Sequence, residues 1–429
     1  MPLEQTFCSS PWTHMKIASN GQMKYCRWSS LTGKVTEDSP VIGDIHPLTF
    51  FQKIMSSERQ AMLNGQLLDG CNDCYVMEKY SKISGRQKQL LKTGITVNNF
   101  AKSCASSTFA SEFKKSLQNG HTDLMPLDWQ IDLGNHCNSA CVMCAPESSS
   151  RLASEFHRIG FIDKLPVLNW TEDSTRVDLL IDVLNKTSDL AYLHFIGGET
   201  LITPGFKKIL RELMKHDFRH NITVGLTTNL TVWDAEINQM LCEFKQVNLG
   251  MSIDSMTQVN DYVRYPSDIQ SVTALMNRWI ELSRAQNWIP TIRTTPTALT
   301  AGELLDIYKF ALTNQIGIES CNFLDEPQVL RMSVLPLAVR KHISSELTHW
   351  IQQHELNKVT VINNRDPSHV QQSVLQDAVS YVNYLDQCPD ETHRLPAMMQ
   401  YLKKLDQSRG NCVLDYLPEY EELFRSAGY

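Results

Sequence analysis

Three cysteines within eight residues carry the strongest chemical signal in the chain. Cys137, Cys141 and Cys144 are spaced C-x3-C-x2-C in the stretch Asp132-Leu-Gly-Asn-His-Cys-Asn-Ser-Ala-Cys-Val-Met-Cys144. Thiolates are soft ligands that suit zinc or iron–sulfur clusters. A closed zinc site takes four protein ligands. A loop that offers three suits a cubane of four irons with one iron open to a non-protein ligand. Packing accounts for a lone buried cysteine, not for three this close beside the polar Asn138 and Ser139.

A second set lies upstream. Cys8 and Cys26 flank an Asn20-Gly21 pair set between alternating stretches, a hairpin signal. A helical pattern over Thr49–Leu63 follows, and then Cys71-Asn-Asp-Cys74. Cysteine, hairpin, cysteine, helix and C-x2-C is an order in which four distant thiolates converge on one metal. Zinc and an iron–sulfur cluster both satisfy that donor set. Of twelve cysteines, eight precede residue 145, so the metal chemistry belongs to the first third of the chain.

The elements that position these residues follow from the pattern of the chain between Leu127 and Pro327. Candidate strands are Trp129–Leu133, Leu190–Ile196, Ile222–Thr227, Val247–Ile253, Thr291–Thr295 and Ile318–Phe323. Helical segments alternate with them at Asp173–Asn185, Gly205–His216, Trp233–Phe244, Ile269–Ala285 and Gly302–Thr313. Six repeats of strand then helix argue for an α/β fold with a parallel sheet and helices outside. Chemistry then belongs at the C-terminal ends of the strands. The cysteine loop follows the first strand, and the second ends in Gly197-Gly198-Glu199. The third ends in Thr227-Thr228-Asn229. The fourth ends in Ser252-Ile253-Asp254, with Arg264 ten residues on, and the fifth in Thr294-Thr295-Pro296-Thr297.

The division expected is a cysteine-rich unit over 1–100, a connecting segment over 101–125, a core over 126–327 and a mostly helical extension over 328–429. Residues 75–125 read as connecting chain, and the basic stretch Lys79–Lys92 as a solvated helix face. Cys104 has no obvious partner. In the extension, helical patterns cover 337–357 and 391–406, and Cys388 and Cys412 read as structural thiols. His14, His136 and His194 are assigned to no metal.

Composition narrows the setting. With 42% hydrophobic and 20% charged residues in 429, the chain is ordinary for a soluble globular protein. A net charge of −7 gives no general attraction for nucleic acid or anionic membrane. No run of about 18 apolar residues predicts a membrane span. The start lacks the basic and apolar regions of a signal peptide, so the expected location is the cytoplasm, where thiols serve as ligands more than as disulfides.

The C-x3-C-x2-C loop after one strand and Gly-Gly-Glu after the next resemble the radical S-adenosylmethionine (radical SAM) enzymes. That resemblance implies a (β/α)6 partial TIM barrel over 126–327 and a [4Fe-4S] cluster on Cys137, Cys141 and Cys144. S-Adenosylmethionine is then chelated at the open iron. By the same resemblance, Gly197, Gly198 and Glu199 hold its amino group, and Ser252 and Arg264 bind its carboxylate beside Asp254; the small hydroxyl and amide of Thr228 and Asn229 suit its ribose. Met143 occupies a position that is usually aromatic in the family and lies against the adenine. The unit over 1–100 resembles the SPASM and twitch modules, here placed before the barrel. It implies an auxiliary [4Fe-4S] cluster on Cys8, Cys26, Cys71 and Cys74, with zinc as the alternative. The activity implied is reductive cleavage of S-adenosylmethionine to a 5′-deoxyadenosyl radical and hydrogen abstraction from a peptide or protein side chain. Electrons would come from a donor such as flavodoxin or ferredoxin. Alternatives are a small-metabolite substrate, or a non-catalytic zinc- or cluster-binding protein on a decayed barrel; nucleic acid fits the acidic balance less well.

Overall fold

The computed structural model describes residues 3–26, 40–79, 84–93, 107–166, 168–187, 189–320, 323–356 and 366–429. The fold is α/β, with eight strands among these residues and a helical C-terminal region. The chain divides into two compact units that are interleaved in sequence. The first takes residues 1–134, 167–225 and 239–245; the second takes 135–166, 226–238 and 246–429.

In the first unit, β1 (His14–Ile17) and β2 (Met23–Lys24) form the expected antiparallel hairpin around Asn20-Gly21. β1 pairs in parallel with β3 (Asp128–Asp132), and β3 in parallel with β4 (Tyr192–Ile196). The cysteine-rich chain therefore extends the parallel ladder, although it precedes it by a hundred residues. Both faces of β3 are covered, with Trp129 and Ile131 fully buried on one and Asp128 and Gln130 buried on the other, as parallel strands require. Arg59 is buried and ties this region together: its Nε donates to the Pro11 carbonyl at 2.8 Å and its guanidinium lies over the Phe51 ring.

β5 (Thr223–Thr228) runs along the chain from the first unit into the second. In the second unit, β6 (Gln246–Ser252), β7 (Ile289–Arg293) and β8 (Gly317–Glu319) pair in parallel. The expected fifth strand, Thr291–Thr295, begins and ends two residues earlier in the structure. At its end the Thr294 hydroxyl and the Thr295 N–H turn to the Asp254 carboxylate. The expected sixth strand runs into residues 321–322, which lie outside the described residues, as does Cys104.

Helices α1 (Ser150–Arg158), α2 (Ser174–Lys186) and α4 (Ile269–Ala285) start where side chains cap them: Ser149, Asp173 and Asp268 each accept from a backbone N–H of the first turn. α3 (Pro204–Leu213) and α5 (Leu304–Asn314) follow β4 and β7. The extension contributes α6 (Leu337–Ile351), α7 (Pro367–Gln387) and α8 (Leu395–Arg409). No helix is long and apolar enough to cross a membrane among the described residues.

Two expectations need correcting. The helix over Thr49–Leu63 is not continuous: a wider π turn over Phe50–Ile54 is followed, after Met55, by a fresh helix at Ser56–Leu63. The basic stretch Lys79–Lys92 is not simply a solvated face. Arg86 is buried; it pairs with Glu78 and its Nη1 donates to the Phe7 carbonyl at 2.9 Å. Residues 80–83 of that stretch lie outside the described residues.

Candidate metal and cofactor centre

The cysteine loop sits in the second unit, between the end of β3 and the cap of α1, and is held along both edges. Its Ala140 and Val142 N–H groups donate to the carbonyls of Tyr265 and Val263 at 2.5 and 2.8 Å. On the other edge Arg409 Nη2 donates to the Ala140 carbonyl and the Tyr401 hydroxyl to the Val142 carbonyl, each at 2.8 Å. Asn229 closes the turn, its Nδ2 donating to Asn138 Oδ1 at 2.8 Å and to Ser139 Oγ at 3.0 Å. Ser149, the cap of α1, donates to the Ser139 carbonyl at 2.5 Å. A loop whose backbone groups are paired this fully is fixed before any ligand arrives.

The three thiols interact. Cys141 and Cys144 share a hydrogen bond that lowers the Cys141 value and raises that of Cys144, and Cys137 adds to the rise at Cys144. Cys141 and Met143 are buried, while Cys137 and Cys144 are partly exposed. Three soft donors on one loop, two of them partly exposed, suit the cluster proposed from the spacing. Among the described residues, no three His, Cys, Asp or Glu side chains are already drawn into a metal-binding group.

Arg264 and Asp254 stand beside these thiols. Arg264 Nε lies 2.7 Å from Asp254 Oδ2, with Asp254 wholly buried and Arg264 nearly so. Burial works against the arginine's charge, but Asp254, then Cys141 and Cys144, outweigh it and hold the guanidinium above its ordinary value. Asp254 Oδ1 accepts from Thr294 Oγ1 at 2.8 Å and from the Thr295 N–H at 2.7 Å. Both carboxylate oxygens are thus engaged within the protein, and Asp254 joins the ends of β6 and β7 to Arg264. Ser252 ends β6 in register with Arg293. The Thr228 hydroxyl is buried and accepts from the Leu230 N–H at 3.2 Å.

In the first unit, β4 is followed by Gly197-Gly198-Glu199. Gly197 has φ +148°, and a Cβ there would meet the Gly134 carbonyl at 2.8 Å. Gly198 N–H donates to that same carbonyl at 2.9 Å. The glycines let the ends of β3 and β4 close on each other. Glu199 is buried, and its Oε1 accepts from the Leu201 N–H at 3.1 Å. Asp132, at the end of β3, has its carboxyl pushed up to about 6 by burial, partly offset by the Gly134 N–H and by Lys16.

The first unit also brings Cys8, Cys26, Cys71 and Cys74 to the wall of one cavity, with Tyr25 and Arg86. The Tyr25 hydroxyl lies 3.8 Å from the Cys71 sulfur. A Cβ on Gly70 would stand 2.8 Å from that hydroxyl, so glycine leaves it room. Burial, and then Cys26, push the Cys8 and Cys71 thiols up to about 12. Four thiols facing one small space repel as thiolates, and a bound cation removes that repulsion. Elsewhere, Cys388 accepts from Arg340 at 3.0 Å and Cys412 lies 3.4 Å from the Tyr429 hydroxyl. His14 pairs with Asp128 at 3.3 Å.

Sequence reasoning passed over Tyr401, Arg409 and Glu155. Arg409 Nη2 and Glu155 Oε2 are 2.7 Å apart and both side chains are buried. Burial raises the Glu155 carboxyl, but Arg409 more than offsets this and holds it below the usual range. An Arg at the end of a C-terminal helix gives no local sign that it grips a loop 269 positions away.

Residues 131–319 match the family model of the radical SAM superfamily. No curated protein matches the sequence. Similar solved structures include Streptococcus suis SuiB bound to S-adenosylmethionine, at 13% identity and TM-score 0.39, covering 70% of this chain and 64% of that one. SuiB bound to the precursor peptide SuiA is similar at 14% identity and TM-score 0.36, over 66% of this chain and 60% of that one. Native anSMEcpe with bound AdoMet is similar at 19% identity and TM-score 0.38, over 53% and 61%. The chain spans less than two thirds of the length of each of these three.

Proposed function

We propose, from the match of residues 131–319 to the radical SAM family model, that the chain is an enzyme that cleaves S-adenosylmethionine reductively at a [4Fe-4S] cluster held by Cys137, Cys141 and Cys144. When bound, cluster and S-adenosylmethionine supply a 5′-deoxyadenosyl radical that takes hydrogen from an unactivated carbon. The observation that carries the reading is the ligand loop itself, with three thiols on a backbone fixed at both edges.

The protein's part is to hold and shield. Arg264 sets a buried positive charge beside Cys141 and Cys144, offsetting the negative charge of ligated thiolates. Asp254 fixes that guanidinium, and Thr294 and Thr295 fix Asp254. Gly197, Gly198 and Glu199 are the proposed contacts of the cofactor's amino group, with Thr228 and Asn229 at its ribose, Ser252 and Arg264 at its carboxylate, and Met143 at its adenine. The core is assigned to 126–327.

Cys8, Cys26, Cys71 and Cys74 are the proposed ligands of a second centre, supported by their place around one cavity. An auxiliary [4Fe-4S] cluster is the first assignment and zinc the second, since four thiolates serve either. The substrate proposed is a peptide or protein side chain, from the likeness of the 1–100 unit to SPASM and twitch modules; a small metabolite is the other reading.

Anaerobic reconstitution tests this. About eight irons per chain, about four in a Cys137→Ala, Cys141→Ala, Cys144→Ala variant, and 5′-deoxyadenosine from the parent alone are expected. Four irons with one zinc makes the second centre structural. A loaded cluster without 5′-deoxyadenosine overturns the catalytic reading.

A further inference from the structure

Within the second unit, an open cleft of about 380 Å³ borders the cysteine loop and is lined by Arg151, Arg158, Arg409, Glu155 and Tyr265. Arg151 and Arg158 lie seven positions apart on α1, hence on one face of that helix. Glu155 is the one carboxylate lining the cleft among the described residues, and it is taken up by Arg409 at 2.7 Å. The charge of the other two arginines is left in excess. Arg151 Nη1 donates to the Asn138 carbonyl at 3.2 Å and Arg158 Nη2 to Ser408 Oγ at 2.8 Å, both neutral acceptors. The Tyr265 ring has two cations over it, with Arg409 Cζ 4.7 Å and Arg151 Cζ 5.8 Å from its centroid.

Two features make this cleft more than a basic patch. Arg151 and Arg409 hold the carbonyls of Asn138 and Ala140, so the cleft's cations are bonded directly to the loop that carries Cys137 and Cys141. The chain as a whole is acidic, at −7. Its overall field repels an acidic protein, and such a partner approaches productively only through a local concentration of positive charge.

We propose that this cleft docks an acidic redox protein that reduces the cluster on Cys137, Cys141 and Cys144; the inference rests on the function proposed above. The step is a single electron transfer. The partner's reduced flavin or iron–sulfur centre is oxidised by one electron, the cluster is reduced by one, and no bond forms or breaks.

Binding of an oxidised acidic flavodoxin to the iron-loaded protein tests it, read as Kd at low and at physiological salt. Arg158→Glu, whose bond is to Ser408 and not to the loop, weakens binding about tenfold at low salt, and Arg151→Gln/Arg158→Glu weakens it further with a flatter salt dependence. Lys341→Glu, a charge reversal on α6, leaves Kd unchanged. An unchanged Kd in the arginine variants, or an equal loss in Lys341→Glu, overturns the assignment. Cleavage of S-adenosylmethionine driven by dithionite, which needs no docking, is equal in parent and Arg158→Glu. Absence of dithionite-driven cleavage from the parent defeats the radical SAM reading instead, while Kd still reports on the cleft.

Discussion

Arg264 and Asp254 form a buried ion pair at 2.7 Å whose cation also faces the thiols of Cys141 and Cys144. The carboxylate is further bound to Thr294 and Thr295, so the pair is positioned from β7 as well as from β6. Replacing one member strands a charge in the interior, which costs about 3 kcal/mol. Arg264→Met is expected to destabilise the metal-free protein by that amount in urea unfolding. Arg264→Lys, which keeps the charge without the fork, loses less stability but slows cleavage of S-adenosylmethionine.

Asn229 spends its amide on the cysteine loop. Asn229→Ala removes the bonds to Asn138 and Ser139 and is expected to cost about 1–2 kcal/mol locally. The chain still folds, with an unchanged far-ultraviolet circular dichroism spectrum, but a chelator strips iron from the Cys137 loop several times faster than from the parent.

Tyr401 and Arg409 act on the same loop with unequal weight. Tyr401→Phe deletes one hydrogen bond and lowers stability by about 1 kcal/mol. Arg409→Met leaves Glu155 buried without its partner and costs about 3 kcal/mol. Because the Glu155 carboxyl is held below its ordinary value, its contribution is present at neutral pH and is lost as the pH falls below about 4.5. The gap between parent and Arg409→Met in unfolding experiments is therefore expected to narrow at acid pH.

Asp132 shows the opposite sign. Its folded value is about 6 against an ordinary 3.8, so the folded state favours the protonated acid and loses stability as the pH rises through that interval. Asp132→Asn is expected to raise the urea midpoint above pH 6 and to give no gain near pH 3.5.

Cys26→Ala/Cys74→Ala removes two of the four thiols around the cavity of the first unit. Metal content is expected to fall by about four irons, or by one zinc, with the visible spectrum of the Cys137 loop cluster retained. Loss of all metal from this variant argues against two separate centres.

Much of this was legible from local pattern. The C-x3-C-x2-C loop, the hairpin at Asn20-Gly21 and the presence of the core strands, though not the bounds of the last two, could be read directly, because turn chemistry and strand alternation are short-range. What escaped is long-range. Nothing near Arg86 shows that it is buried against Phe7, and nothing near Tyr401 or Arg409 shows that they bond the carbonyls of Val142 and Ala140. The end of β7 was misplaced for the same reason: Thr291–Thr295 has strand propensity throughout, and only the partner Asp254 decides where the ladder stops. Gly197 was read as part of a grip on the cofactor's amino group, and the structure shows another use for the missing side chain in the approach of Gly134.

The loop that carries Cys137, Cys141 and Cys144 leaves the ribosome long before the helix that clasps it, since Arg409 and Ala140 are 269 positions apart and Tyr401 and Val142 are 259 apart. During synthesis the three thiols therefore emerge on a loop still missing one edge. Iron delivered then would meet an incomplete clasp. Maturation of the proposed centre is thus tied to completion of α8, and a nascent chain stalled before residue 400 is expected to be a poor acceptor of a cluster.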